Sequence, residues 1–158
     1  MNTLSRMLIG LSAISLVSCS SGGMHHDASS APLAQEVRRA TERYQDVSAA
    51  TAAGYALFLG CVSSPTGGAM GIHYVNGELV GDGKIDAARP EALIYEPKGG
   101  KLELVMGQLF HLNSSPNRYG IPAFYALHVW AWRHNPQGTF VDYNPRVSCD
   151  GYPTEAAR

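Results

Sequence analysis

The chain has 158 residues, of which 16% are charged, with a formal net charge of −1. This length suits one domain with a hydrophobic core, and the near-balanced charge excludes the basic surface typical of nucleic-acid-binding proteins, so no nucleic-acid partner is expected. The sequence also contains 17 glycines and 9 prolines, which indicates a domain rich in loops and β-strands.

The N-terminal segment has the pattern of an export signal. Arg6 precedes the apolar run Met7–Val17, which is too short to remain as a membrane-spanning helix. We therefore expect residues 1–18 to be a signal peptide. The run ends in Leu-Val-Ser-Cys at residues 16–19, which resembles the lipobox of bacterial lipoproteins.

That resemblance implies a location. In bacterial lipoproteins the lipobox cysteine carries the lipid, palmitate included, and becomes the new N-terminus, which implies lipidation of Cys19. Ser20 follows where Asp would imply retention in the inner membrane. We therefore expect an outer-membrane lipid anchor and a domain that faces the periplasm. The alternative is an ordinary cleaved signal peptide.

The mature chain divides into a tether and a domain. Residues 19–31 are small, polar and unpatterned, which predicts a flexible tether, and residues 32–158 form a single globular domain. Cys61 and Cys149 remain as a pair in an oxidising compartment, which predicts a disulfide between them. The competing interpretation is a metal site with two thiolates.

A helix is predicted from Leu33 to about Ala53. Pro32 suits its first turn, and Gly54 suits its C-terminal cap. Apolar residues recur at intervals of three and four, which forms a stripe for packing on a sheet. The stripe contains Leu33, Val37, Ala40, Tyr44 and Val47.

Strands and loops alternate in the middle of the chain. Residues 69–75 are predicted to form a strand, and residues 92–97 and 101–110 a hairpin about Gly99-Gly100. In this hairpin Glu96 opposes Glu103 on a solvated face. The segment Asp82–Asp86 resembles the middle of an EF-hand, but the flanking ligands do not match, so residues 78–90 are expected to form a surface loop. A second loop is expected over residues 111–122.

A second hairpin is expected at residues 123–133 and 139–143. Side chains alternate across a strand, so one face of this hairpin would be aromatic and partly polar. Asp142 would lie diagonal to His128, within reach of its side chain. Together with Tyr74, this face is the predicted site for a small ligand, and a sugar suits such a mixture. The predicted ligand-binding residues are Tyr74, His128, Trp130, Trp132, Asp142 and Asn144.

These elements predict an α+β fold. We expect one N-terminal helix packed on an antiparallel sheet of about five strands, tied by the Cys61–Cys149 disulfide.

Function is less constrained than fold. The leading hypothesis is a binding module for a small molecule or a metal ion. His73 and His128 are the predicted metal ligands, for Zn or Cu, although the spacing of the histidines is not diagnostic and neither HxH nor HExxH occurs. One alternative is a metal-dependent enzyme, or one in which Asp142 orients His128 as a general base. Another is a purely structural envelope protein.

Three segments resemble an uncharacterised family of exported bacterial proteins. They are GAMGIHYV at 68–75, PEALIYEP at 90–97, and LHVWAWRHNPQGTF with NPRVSC within 127–149. The resemblance implies a common fold and carries no assigned mechanism. His73 and His128 both lie in these segments.

Overall fold

A computed structural model describes residues 31–116 and 122–152, with the side chains of residues 111–116 and 122–124 outside the description. The predicted signal peptide, the lipidation site Cys19 and the tether up to residue 30 also lie outside the described residues. Within the described part, no helix is long and apolar enough to cross a membrane.

The N-terminal helical region is interrupted, which corrects the prediction of one continuous helix. Helix α1 spans Pro32–Thr41, a 3₁₀ helix spans Glu42–Tyr44, and helix α2 spans Val47–Ala52. The break has a local cause: Asp46 is extended and its carboxylate accepts a hydrogen bond from the Ser48 amide at 2.8 Å. An aspartate in this role starts a new helix.

Five antiparallel strands form one sheet in sequence order, β1-β2-β3-β4-β5. A short helix, α3, spans Gly77–Gly81 after the second strand. The α+β class, the five strands and the disulfide are therefore confirmed. The strands are β1 (Tyr55–Ser64), β2 (Gly68–Asn76), β3 (Ala92–Lys98), β4 (Lys101–Pro116) and β5 (Pro122–Val129).

The membership of the sheet differs from the prediction in two places. β1 is a strand that the sequence did not predict, and residues 139–143 form no strand. The second hairpin fails because the amides of Trp132 and Arg133 both donate to the carbonyl of Val105, at 3.2 Å, which turns the chain away after β5. β4 also continues through residues 111–116, where a loop was expected.

The β3–β4 hairpin is confirmed at its turn. Gly99 and Gly100 have φ angles of 58° and 76°, the left-handed region that a tight two-residue turn requires. Glu96 opposes Glu103 as predicted. The same pattern predicts that Tyr95 opposes Leu104, which is observed, and that Ile94 opposes Val105, which is wrong by one residue because Ile94 pairs with Met106. Val105 is therefore the extra residue of a bulge.

Each face of the sheet has its own core. We call the side packed against the helices the helical face; it includes Leu93, Tyr95 and Leu104, which pack with Tyr44 and Tyr55. α1 approaches β4 closely at Gly107, where an added Cβ would lie 2.6 Å from Cγ1 of Val37. A glycine is therefore needed for the helix to pack on the sheet.

The opposite side, which we call the C-terminal face, is covered by the end of the chain. Trp130 and Val147 pack there on Ala92, Ile94 and Met106. The covering segment is pinned at two points: Asn144 and Ala69 form a β-bridge, and Cys149 is bonded to Cys61. The C-terminal segment thus crosses from β5 back to β2 and β1.

Candidate functional site

The two tryptophans of the predicted aromatic site lie on different faces of the sheet. Trp130 is 1% exposed in the core of the C-terminal face, and its indole Nε1 donates to the carbonyl of Val141 at 2.7 Å. β5 ends at Val129, before both tryptophans, so strand alternation does not place Trp132 on the same face as Trp130. The expected pairing of these rings on one hairpin face is therefore not observed.

Trp132 packs on the helices. Its indole Nε1 donates to the hydroxyl of Thr41 at 2.9 Å, and the Arg38 guanidinium lies 4.2 Å from the ring centroid. Arg38 also donates to the carbonyl of Ala131 at 3.0 Å. These contacts attach α1 to the residues after β5, a packing role that needs no ligand.

Tyr74 and Asn144 also lie apart from His128. Tyr74 packs on the helical face, edge-on to Tyr95 with ring centroids 5.4 Å apart. Asn144 is fully buried. Its side-chain NH₂ group donates to the carbonyl of His134 at 3.2 Å, and its side-chain oxygen accepts from the backbone N–H of Arg146 at 2.9 Å. Asn144 therefore shapes the C-terminal segment.

His128 and Asp142 are in contact, as the sequence predicted. Nδ1 of His128 lies 3.0 Å from Oδ1 of Asp142, and Nε2 lies 2.8 Å from Nε2 of Gln108. In neutral His128 these contacts are both satisfied when Nδ1 carries the proton and Nε2 accepts from the Gln108 amide. Burial lowers the pKa of His128, and Asp142 opposes that shift.

Gln108 is a member of this cluster that sequence reasoning missed. It opposes His128 on β5 and Ala92 on β3, and it is 3% exposed. The sequence pattern did indicate a buried polar side chain here. Gln108 alternates with Met106 and Phe110 on an otherwise apolar strand face, so its side-chain amide had to be buried and needed a hydrogen-bond partner.

His73 lies on the C-terminal face with His128. It opposes Ile94 in β3 and is 4% exposed. Burial, followed by the electrostatic effect of His128, lowers the pKa of His73 to about 4, while the Gly71 backbone opposes this shift. The described residues contain no group of three or more His, Cys, Asp or Glu side chains that could hold a metal ion.

Glu96 is buried, which corrects the expectation of a solvated face. It is 6% exposed, receives a hydrogen bond from Arg133 at 2.6 Å and another from the Ser148 amide at 3.2 Å. Arg133 also contacts Glu103 at 2.8 Å. The cation comes from beyond β5, so the local hairpin pattern could not reveal it.

A groove that the sequence did not predict lies where the helices meet the ends of β1 and β2. Its volume is about 480 Å³. We call it the Arg43–Arg89 groove after its two cations, which project from the 3₁₀ helix and from the loop before β3. Its other walls are apolar or aromatic, with one amide: Tyr44, Ala49, Ala52, Ala53, Tyr55, Asn76, Leu79 and Ala88.

The two arginines of the groove have different partners. Arg89 is held by Asp86 at 3.0 Å and lies 3.9 Å from Asp82, so its charge is partly neutralised. The guanidinium of Arg43 lies 4.7 Å from the ring centroid of Tyr44 and forms no ion pair with a carboxylate of the described residues. Arg43 is therefore the cation available to an anionic ligand.

The groove walls are fixed by hydrogen bonds. Tyr55 donates its hydroxyl to the carbonyl of Pro90 at 2.6 Å, which ties β1 to the loop that carries Arg89. Asn76 donates to the carbonyl of Ala53 at 3.1 Å and caps α3 by accepting from Glu78 and Leu79. The described cleft is therefore built from ordered elements and needs little rearrangement to accept a ligand.

Comparison with known proteins adds no assignment. No protein-family model, no curated protein and no solved structure matches the chain.

Proposed function

We propose that the chain is an outer-membrane lipoprotein whose periplasm-facing domain binds a small organic anion in the Arg43–Arg89 groove. The observation that carries this proposal is the groove itself, whose volume of about 480 Å³ falls in the range of small-molecule sites. The proposed role, a binding module, is the one expected from the sequence. The proposed binding site is the groove beside the helices instead of the face with the tryptophans.

The chemistry of the walls supports the choice of ligand. Tyr44, Leu79 and the alanines offer an apolar surface, and Arg43, whose guanidinium lies 4.7 Å from the Tyr44 ring centroid, also lines the groove. A ligand with an apolar body and one carboxylate or phosphate would satisfy both parts. Guanidinium binds such groups with paired hydrogen bonds, which gives orientation as well as affinity.

Two observations support the proposed location. The Leu-Val-Ser-Cys sequence at residues 16–19 has the pattern of a lipidation site at Cys19. The Cys61–Cys149 disulfide is typical of an exported protein, because cytosolic thiols are kept reduced. Labelling cells with radioactive palmitate tests this part: the chain should be labelled and a Cys19→Ser variant should not.

The geometry around His128 favours a binding protein over a general-base enzyme. Nε2, the atom that would take a proton from a substrate, is bonded to Gln108, and the residue is 6% exposed. A substrate at this nitrogen would have to displace a buried amide. A purely structural envelope protein remains the competing function, and it predicts no specific ligand in the groove.

The test is calorimetric titration of the full chain in detergent micelles with 3-phenylpropionate and its neutral amide. We expect the carboxylate to bind more tightly than the amide, and Arg43→Ala to weaken carboxylate binding about tenfold or more, as expected for a charged hydrogen bond. Ala52→Trp, which fills the groove, should abolish binding. Lys101→Ala removes an exposed cation far from the groove and is the matched control.

Two results would contradict this proposal. Equal affinity for the acid and the amide, or binding that survives both Arg43→Ala and Ala52→Trp, would place the ligand elsewhere and overturn the proposal.

A further inference from the structure

Three polar side chains are buried together on the C-terminal face, away from the groove. His73, Gln108 and His128 are 4%, 3% and 6% exposed. Gln108 and His128 oppose each other on β4 and β5, and His73 lies across β3 on β2. Ala92, Ile94 and Met106 on the same face are apolar, so the polar atoms that Asp142 does not reach must find a partner within the cluster or remain without one.

Two atoms of this cluster have no partner. Nδ1 of His73 and Oε1 of Gln108 are buried and make no hydrogen bond within the described residues. Such atoms are rare in folded proteins, and a bound water or ion is a usual explanation. Oε1 of Gln108 is an electron-pair donor, and Nδ1 of His73 is one in the tautomer that carries the proton on Nε2, so a hydrogen-bond donor or a cation would satisfy both atoms.

The arrangement of His128 points to a cation. Its Nδ1 is bonded to a carboxylate, Asp142 at 3.0 Å, while Nε2 points into the buried cluster. Histidines that bind metals commonly have this arrangement, in which a carboxylate fixes the ring orientation and raises the basicity of the other nitrogen. Asp142 itself is exposed on the outer side of the ring.

The sheet places all three donors on one face, on strands β2, β4 and β5. Strands β2 and β4 are two ladder steps apart, which is about 10 Å between backbones. His73 opposes Ile94, whereas Gln108 opposes Ala92, two residues away on the same face of β3, and the side chain of Ala92 is a single methyl group. An imidazole and a carboxamide that lean across this residue can approach one ion. The two imidazoles are also close enough to influence each other electrostatically.

We propose that His73, Gln108 and His128 form a buried site for one transition-metal cation, with both imidazoles and the amide oxygen as ligands. The ion takes Nδ1 of His73, Nε2 of His128 and Oε1 of Gln108, and the Gln108 amide turns so that its oxygen replaces its nitrogen toward His128. Imidazole nitrogens suit zinc and copper. Asp142 provides one compensating negative charge, which favours Cu⁺ over Zn²⁺ in this buried setting.

The test is equilibrium dialysis of the full chain in detergent against Zn²⁺ and, under anaerobic conditions with ascorbate, against Cu⁺. All proteins carry His25→Ala and His26→Ala, so that the tether histidines do not contribute. We expect one equivalent of at least one ion, lost in both His73→Gln and His128→Gln. His134→Gln removes an exposed histidine and is the matched control.

Gln108→Glu is a second variant, for which we expect a gain of binding, and an unfolded protein could not show such a gain. A carboxylate in place of the amide adds an anionic ligand, and we expect it to tighten Zn²⁺ binding at least tenfold, whereas a purely structural glutamine predicts no gain. No stoichiometric binding of either ion, or binding unchanged in the folded His73 and His128 variants, would overturn the proposal. The groove is a separate site, so its ligand binding does not depend on this result.

Discussion

Nδ1 of His128 lies 3.0 Å from the carboxylate of Asp142, although the two residues lie on no pair of adjacent strands. β5 ends at Val129, and Asp142 reaches the ring from the irregular C-terminal segment. The contact therefore depends on the path of that segment over the sheet. It also acts on the pKa of a buried imidazole, because burial lowers the pKa of His128 and Asp142 opposes this shift.

The first prediction concerns Asp142→Asn. Removal of the negative charge should lower the pKa of His128 further, because the opposing electrostatic attraction is lost. An NMR titration of the His128 ring protons in metal-free protein measures the shift. Asp150→Asn, which neutralises an exposed carboxylate bonded to Ser148, should leave the titration unchanged. A rise in the His128 pKa in Asp142→Asn would contradict the assigned role of this carboxylate.

The second prediction concerns the pH dependence of stability. His73 titrates at about 4 in the folded protein and near 6.5 when unfolded, so the unfolded chain binds more protons between these values. Stability should therefore fall as the pH drops from 6.5 toward 4. By linkage, the titration of His73 should lower the free energy of unfolding at pH 4.5 by about 2–3 kcal/mol relative to neutral pH.

Urea unfolding in EDTA at pH 7.0 and 4.5 measures this contribution. We expect His73→Gln to lose less stability than the wild type between the two pH values, by about that amount. The same loss in both proteins would show that His73 is not the group responsible.

The third prediction concerns the contact between α1 and β4. Gly107→Ala places a methyl group 2.6 Å from Cγ1 of Val37, so the helix must move away. We expect a loss of about 1–3 kcal/mol, typical of an overpacked core. Val37→Ala should recover part of this loss in the double variant, which a double-mutant cycle measures. Gly81→Ala, where an added Cβ meets nothing within 4 Å, is the control; a cost there equal to that at Gly107 would contradict the packing argument.

The fourth prediction concerns the disulfide. Cys61 and Cys149 are 88 residues apart, and the chain-entropy model gives about 4–5 kcal/mol for a loop of this length. Chemical unfolding of the Cys61→Ala/Cys149→Ala variant should show a loss of that order. The loss should appear without a reductant, because no free thiol remains. A double variant as stable as the wild type would mean that the β-bridge at Ala69 and the packing of Trp130 and Val147 hold the C-terminal segment without the disulfide.

Local patterns predicted the parts of the fold that are locally determined. Gly99-Gly100 defined the β3–β4 turn, and the first pairs beside the turn follow from it. The bulge at Val105 could not be predicted in this way, because it depends on amides from residues after β5 that bond to its carbonyl. The interruption of the helix could have been predicted from Asp46, because aspartate has a strong preference for helix N-termini and Asp46 caps α2.

The sites show the same division. The contact of His128 with Asp142 was predicted from a hairpin that does not form, so it was correct for a reason other than the one argued. The Arg43–Arg89 groove unites residues from the helices, β1, α3 and the loop before β3, and no local pattern connects Arg43 with Arg89. In the sequence, Arg43 and Arg89 have the pattern of ordinary surface cations, and only the fold shows that they line the same groove.

The central claim is that the groove binds an organic anion, and ¹H–¹⁵N NMR of the labelled full chain in detergent tests it most directly. On titration with 3-phenylpropionate, we expect the shifted amides to include Ala49, Ala52, Ala53, Asn76 and Arg89, which line the groove. The same titration of Arg43→Ala should give much smaller shifts. Shifts confined to residues outside the groove, or no shifts at all at ligand concentrations in the millimolar range, would contradict the account.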